Sequence, residues 1–484
     1  MKGENGYEKN EEEAVKNYKL VAENENSEDL GGYSCYFLGY IIANNEAEED
    51  DTEAVSWYKK AIEKGNSNAM NDLAFMYQHG QGVSQDYENA MKLYNQAADA
   101  GNTPAMCNIG YNYEYGECGQ KADLEKALEW YEMADENNHV GAGEFVQRVL
   151  KEICSIADNY RTGENGYEKD EKEAIKYYKL VVEDENTDET LAGYSYLCLG
   201  VMAETDDAAE AADWYKKAVE KGNSDAMNNL AYMYERGDGI SQNYENAMKL
   251  YNQAADAGNN TAMFNLGYCY EKGACGQSVD LEKALAWYET AAANNAEDVE
   301  ESIQQVLEKI YDTAGKEDDE KAVKYYKLVA GDENASEELC RKSCYRLGRI
   351  MSENDIESDD SEAADWYRKA SEKGDDLARV FLAEMYREGQ GVSRDYEKAM
   401  ELYKQSAEAG NGYAMWCIGF NYECGWCGLD IDLEKALEWY KKASENGHDS
   451  ETYIQRVQSN MKSGEGTAEG TLSPESSEDS VFAR

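Results

Sequence analysis

The sequence has few of several things that would point to chemistry. There are only three histidines, His79, His139 and His448, and they lie in separate parts of a 484-residue chain. No Ser, Cys or carboxylate recurs beside them in a triad-like arrangement, which leaves nucleophilic catalysis without a candidate. No segment approaches the roughly 20 apolar residues that span a bilayer, and the first residues, MKGENGYEKNEEEAVKNYKL, lack a signal-peptide apolar core. The expectation is a soluble, cytoplasmic protein without membrane insertion, with secretion lacking a cleavable signal as the variant. Basic residues are also scarce: 47 Lys and Arg against 99 Asp and Glu give a net charge of −52, which repels nucleic-acid phosphates.

What is present is aromatic surface and repetition. The 39 Tyr and 8 Trp supply the apolar area that a charged, disordered chain would lack. YQHGQGVSQDYENAMKLY, starting at Tyr77, returns as YERGDGISQNYENAMKLY at Tyr234 and as YREGQGVSRDYEKAMELY at Tyr386. The chain is therefore three copies of one block, expected at 1–160, 161–313 and 314–463, followed by a polar acidic tail, 464–484, read as disordered. Within each block an Ala-x-x-x-Tyr-like seed recurs four times, from Ala14 to Ala436, with most intervals between 36 and 41 residues. Twelve units of that length mark an all-α solenoid, in which a unit buries its apolar face only against its neighbours.

Each unit reads as two short helices. Ala54, Trp57, Tyr58, Ala61 and Ile62 form one helical stripe ending at Gly65, and Ala69, Met70, Leu73, Met76 and Tyr77 form another ending at Gly80. Asp86, Asn243 and Asp395 stand where an N-cap would open the following helix. The chain opens on what matches a second helix, because its first residues repeat at Gly163.

The stretches DYENAMKLYNQAADAGNTPAMCNIGYNYEYG and DLEKALAWYETAAANNAEDVE, with the Leu-Gly-x-x-Tyr and Gly-x-Gly-Val elements, resemble the Sel-one-like repeat (SLR), a relative of the tetratricopeptide repeat. The likeness covers roughly residues 5 to 463. It implies a right-handed superhelix of antiparallel helix pairs that serves as a protein-interaction scaffold, in some bacterial proteins at contacts with host cells. Ser84, Ser241 and Ser393 replace a proline common in the family's loop, and the fourth unit of each block is degenerate.

Three features invite chemistry and receive a structural reading instead. Gly80-Gln81-Gly82 follows a helix, lacks the Lys-Ser/Thr of a phosphate loop and recurs with each block, so it is expected to turn the chain. The twelve cysteines are irregularly spaced and are expected to be free thiols, and the lone C-x-x-C at Cys424 to Cys427 lacks a second ligand pair. The acidic runs at 45–54 and 354–363 lack the spacing of a calcium loop. No cofactor, metal or catalytic residue is expected.

A binding face remains. If Leu73 and Tyr77 point to the core, Asn71, Phe75 and Gln78 point away from it, and the same offsets select Tyr111 and Glu114, Asn228, Tyr232 and Glu235, Tyr268 and Glu271, and Phe420 and Glu423. An aromatic beside a carboxylate along the first helices suits a basic protein or peptide partner, with the first two blocks as the main groove. In one unit of the third block Glu384 and Arg387 replace that pair. The competing reading packs these aromatics against neighbouring helices. The functional expectation is a non-catalytic scaffold or adaptor. The alternatives are a secreted bacterial effector or host-interaction protein, and a disulfide-dependent hydrolase of the kind suggested for cysteine-rich SLR proteins.

Overall fold

The computed structural model describes residues 11–22, 28–44, 48–353 and 357–463, so the tail at 464–484 and parts of both acidic runs lie outside the described residues. Among the described residues there are 24 α-helices and no strand, the arrangement of a helical solenoid. The chain divides into two compact units, Met1–Ala257 and Gly258–Arg484.

The first unit holds α1 (Glu11–Ala22), α2 (Glu28–Ala43), α3 (Glu48–Glu63), α4 (Ser67–His79), α5 (Tyr87–Asp99), α6 (Thr103–Tyr115), α7 (Leu124–Glu136), α8 (Ala142–Thr162), α9 (Glu171–Glu183), α10 (Glu189–Ala203), α11 (Ala208–Glu220), α12 (Ser224–Arg236) and α13 (Tyr244–Asp256). The second unit holds α14 (Asn260–Lys272), α15 (Leu281–Ala293), α16 (Glu300–Ala314), α17 (Asp319–Gly331), α18 (Glu337–Glu353), α19 (Glu357–Glu372), α20 (Asp376–Glu388), α21 (Tyr396–Glu408), α22 (Gly412–Cys424), α23 (Leu433–Glu445) and α24 (Glu451–Ser463). Within each unit consecutive helices pack on one another, and each even-numbered helix pairs most extensively with the odd-numbered one that follows. We call these the A and B helices of a pair. The degenerate segments also pair, α8 with α9 and α16 with α17, although Gly141 and Val299 supply no side-chain cap.

Local signals set the helix ends. Asp86 is extended at φ −149° and its carboxylate accepts from the Asn89 amide at 3.0 Å, a cap of about 1 kcal/mol. Asn243 and Asp395 cap α13 and α21 in the same way, and Asn66, Asn102 and Asn223 cap the A helices α4, α6 and α12. The glycine loop is a turn. Gly80 has φ 71° and its N–H closes α4 on the Met76 carbonyl, while Gly82 has φ 61° and an added Cβ would meet the Asp51 backbone at 2.5 Å.

The core repeats one contact. Tyr58, Tyr131 and Tyr215 in the first unit, and Tyr288, Tyr367 and Tyr440 in the second, are buried on B helices. Each ring rests on a glycine of its A helix: Gly39, Gly110, Gly200, Gly267, Gly348 and Gly419, where a Cβ would lie 2.5–2.9 Å from ring carbons. The Leu-Gly element of the sequence is thus a close approach of ring to backbone. Ala74, Ala231 and Ala383, also buried, take the glycine's place in other A helices. Burial of each such aromatic is worth about 1.5–3 kcal/mol before entropy is counted.

Candidate functional site

The A helices carry a column of aromatic residues two positions after the core Leu or Ile. Phe75, Tyr111 and Tyr232 in the first unit and Tyr268 in the second are each 45–46% exposed. Each has a companion one turn on. The Phe75 and His79 rings lie 4.2 Å apart, the Tyr111 and Tyr115 rings lie 4.6 Å apart, and the Arg236 guanidinium sits 5.2 Å over Tyr232. In the second unit Lys272 stands over Tyr268 at 6.0 Å. One more aromatic of the column went unnoticed in the sequence, Tyr40 on α2, and on α10 the place is taken by Val201, both exposed. The Leu38-Gly39 and Leu199-Gly200 pairs before them were the available signal.

The polar half of the expected face is elsewhere. Gln78, Glu114, Asn228, Glu271 and Glu423 are buried, and Asn71 and Glu235 are half-buried. Phe420 is buried too, at 5% exposure. The residue five after the core Leu or Ile accepts the hydroxyl of the B-helix tyrosine. The Tyr131 hydroxyl donates to Glu114 at 2.7 Å, Tyr251 to Glu235 at 2.9 Å, Tyr288 to Glu271 at 2.8 Å, Tyr440 to Glu423 at 2.7 Å and Tyr94 to Gln78 at 3.1 Å. A buried hydroxyl left without such an acceptor costs about 1–3 kcal/mol. This structural role accounts for the recurrence of the carboxylates.

A cation from the next A helix neutralises three of them. Arg148 on α8 binds Glu114 in a bidentate fork at 2.9 and 2.7 Å, Arg456 on α24 binds Glu423 at 2.9 and 2.7 Å, and Lys309 on α16 reaches Glu271. Burial alone would raise the Glu114 carboxyl, but hydrogen bonds from Arg148, Tyr131 and Tyr115 hold it below the ordinary range. Glu271 is likewise lowered against its burial, by Lys272, Lys309 and Tyr288. Amides link α4 to α6: Asn102 Nδ2 donates to Asn68 Oδ1 at 2.7 Å, Asn108 Nδ2 to Asn71 Oδ1 at 2.9 Å and Gln78 Nε2 to Asn112 Oδ1 at 2.8 Å.

The cysteines need one correction. Cys269 and Cys275 form a disulfide with Cα atoms 5.7 Å apart, while the other ten are free thiols. The equivalents of Cys269 in the other blocks are Asn112 and Asn421, so only the second block places two sulfurs at these positions. In the third block Cys427 Sγ instead lies 3.4 Å from Asn421 Oδ1.

In α20, Glu384 replaces the column aromatic. It accepts from the Tyr413 hydroxyl at 3.1 Å and is pushed up to about 7 by burial.

Capped helix pairs joined by tyrosine-to-carboxylate bonds define a helical-repeat protein of the solenoid class. The chain belongs to the Sel1 repeat family. The Sel1 repeat model matches it at residues 1–26, 32–66, 67–102, 103–139, 154–180, 191–223, 224–259, 260–295, 312–330, 341–375, 377–411 and 412–448. Similar solved structures include a protective antigen with an SLR fold, present in uropathogenic Escherichia coli strains. It is 27% identical over 93% of this chain and 91% of the antigen, with a TM-score of 0.32. A Sel1 repeat protein from Oxalobacter formigenes is 29% identical over 51% of this chain and 99% of its own, with a TM-score of 0.26. An immunity protein from Pseudomonas aeruginosa is 18% identical over 52% of this chain and 83% of its own, with a TM-score of 0.25. None of the curated proteins matches the sequence.

Proposed function

We propose that this chain is a non-catalytic scaffold that holds a protein or peptide partner on its A helices. Sel1 repeat proteins generally serve protein–protein interaction, which supports the class of function. The observation that carries the reading here is the column of half-exposed aromatics, Phe75, Tyr111 and Tyr232 in one unit and Tyr268 in the other. Folding has already spent the adjacent carboxylates, yet it leaves these rings at the surface, where rigid amphipathic side chains bind with little entropic cost. The net charge of −52 favours a basic partner through long-range attraction, while the rings supply short-range contact. None of the described helices is long and apolar enough to cross a membrane. The ten free thiols favour a reducing, cytoplasmic setting. The Cys269–Cys275 bond favours the second reading, a secreted interaction protein.

The test is the pair of variants Phe75→Lys and Tyr232→Lys, each compared with the parent for partner capture and thermal stability. Capture should fall at least tenfold in each, with stability within about 0.5 kcal/mol as for other surface changes. Unchanged capture by both folded variants refutes the column as the docking face.

A further inference from the structure

A cleft of about 410 Å3 opens on α6 and α8 of the first unit, lined among others by Cys107, Tyr111, Tyr131, His139, Phe145 and Arg148. Its size falls within the roughly 300–1,000 Å3 of small-ligand sites. Arg148 is the charged member, with its guanidinium 5.0 Å over the Phe145 ring and its charge balanced by Glu114.

The third block builds the same frame inside the second unit. Arg456 grips Glu423 there as Arg148 grips Glu114, with the same 2.9 and 2.7 Å contacts. The Tyr440 and Tyr453 rings are 5.4 Å apart, where Tyr131 and Phe145 are 5.1 Å apart. His448 follows α23 as His139 follows α7. The largest change in bulk within the frame is at one position, where Trp416 stands in place of Cys107. The Trp416 indole is 7% exposed, stacked on His448 at 5.5 Å and Phe420 at 5.3 Å, and edge-on to Tyr453 at 5.3 Å. In the second block the position holds Phe264, whose ring lies 5.2 Å from Tyr288. The third block therefore fills the frame with an aromatic ring of its own, whereas the second has Ser302 and Gln305 where the first has Phe145 and Arg148. The first block puts a thiol there, and its frame stays open.

We infer that this cleft receives one aromatic side chain, Trp, Tyr or Phe, presented by the protein partner, and that Trp416 shows within the same chain what it accepts. The inference rests on the partner-binding reading above and names the feature that the partner must carry. Ring shape decides the fit, because the Trp416 Nε1–H is buried without a hydrogen-bond partner among the described residues. The Arg148 side chain, 44% exposed, offers the entering ring a cationic face beside an apolar wall. The Cys107 thiol, pushed up to about 11 by burial, stays neutral and keeps that wall uncharged at pH 7.

The probe is free indole, followed by saturation-transfer NMR on the full chain. Binding on the order of 1 mM is expected for so small a ligand. Cys107→Trp, the residue of the third block, should weaken it at least tenfold by filling the cleft. Cys107→Phe, the residue of the second block, provides the same test should the Trp variant melt early. Absence of transfer to the parent protein, or equal transfer to a folded Cys107→Trp or Cys107→Phe variant, overturns the inference. Phe75 and Tyr232 lie outside the cleft, so a failure of their variants to lower partner capture counts against the column and leaves the indole result standing.

Discussion

Replacing Gly110 by Ala isolates the contact on which each helix pair is built. An alanine Cβ would sit 2.8, 2.9 and 3.0 Å from Cε1, Cδ1 and Cζ of Tyr131, against about 3.5–4.0 Å for an ordinary carbon contact. The ring must therefore retreat by roughly 0.5–1.2 Å to restore that spacing. It has little room, because it is 1% exposed, its hydroxyl is bound to Glu114 at 2.7 Å and Phe145 lies 5.1 Å away. Overpacking of this kind costs about 1–3 kcal/mol, whereas Gly to Ala in a helix gains about 1 kcal/mol. The expected net loss is up to about 2 kcal/mol, read from urea denaturation followed by circular dichroism, with amide exchange in α6 and α7 reporting the local part. Ala74→Gly is the control of opposite logic. The alanine already fits its slot in α4, so its removal should also destabilise, by about 1 kcal/mol. Tyr131→Leu in the Gly110→Ala background should recover part of the loss through a coupling term. A Gly110→Ala protein as stable as the parent, or more so, refutes the argument that the ring rests on the glycine.

Stability should also depend on pH with a maximum at about pH 4.5. Burial raises Glu384 to about 7, and burial with a carboxylate neighbour raises Glu132 beside Asp184 and Glu289 beside Asp332. Their stabilising contribution is complete below about pH 4.5 and is lost as pH rises through 7, while Glu114, Glu271 and Asp158, all lowered, lose theirs as pH falls through the acid range. A melting temperature that is flat or rising from pH 5.5 to 7.5 contradicts this, and Glu384→Gln should gain more on the parent at 7.5 than at 5.5. Thiol titration of the unfolded, unreduced chain should count ten groups, and twelve after reduction; twelve in both states would dismiss the Cys269–Cys275 pairing.

The fold was legible because its signals are local and repeated. Ala54, Tyr58 and Ala61 announce a helix stripe by spacing, and Asp86 and Gly80 announce ends whose chemistry needs no tertiary knowledge. The binding face was half legible for one physical reason. A helix in a solenoid has two buried sides, one against its own partner and one against the next repeat, and a single apolar stripe reveals only the first. Phe75 and Tyr111 fall between those sides and remain at the surface, whereas Gln78 and Glu114 point at Tyr94 and Tyr131 and are consumed there. The cleft at Cys107 was hidden for another reason. Its meaning comes from comparing one position across three blocks in space, and Cys107, Phe264 and Trp416 look unrelated in a string.

The amide rungs between α4 and α6 join side chains 34 to 37 residues apart, close to one full pair. A register fixed in this way acts as a ruler for gene duplication. A whole pair gained or lost keeps that 34- to 37-residue spacing in step, while any other length leaves the amides facing the wrong groups. Such a chain lengthens or shortens by clean steps, and its reach can be tuned without redesigning what holds it together.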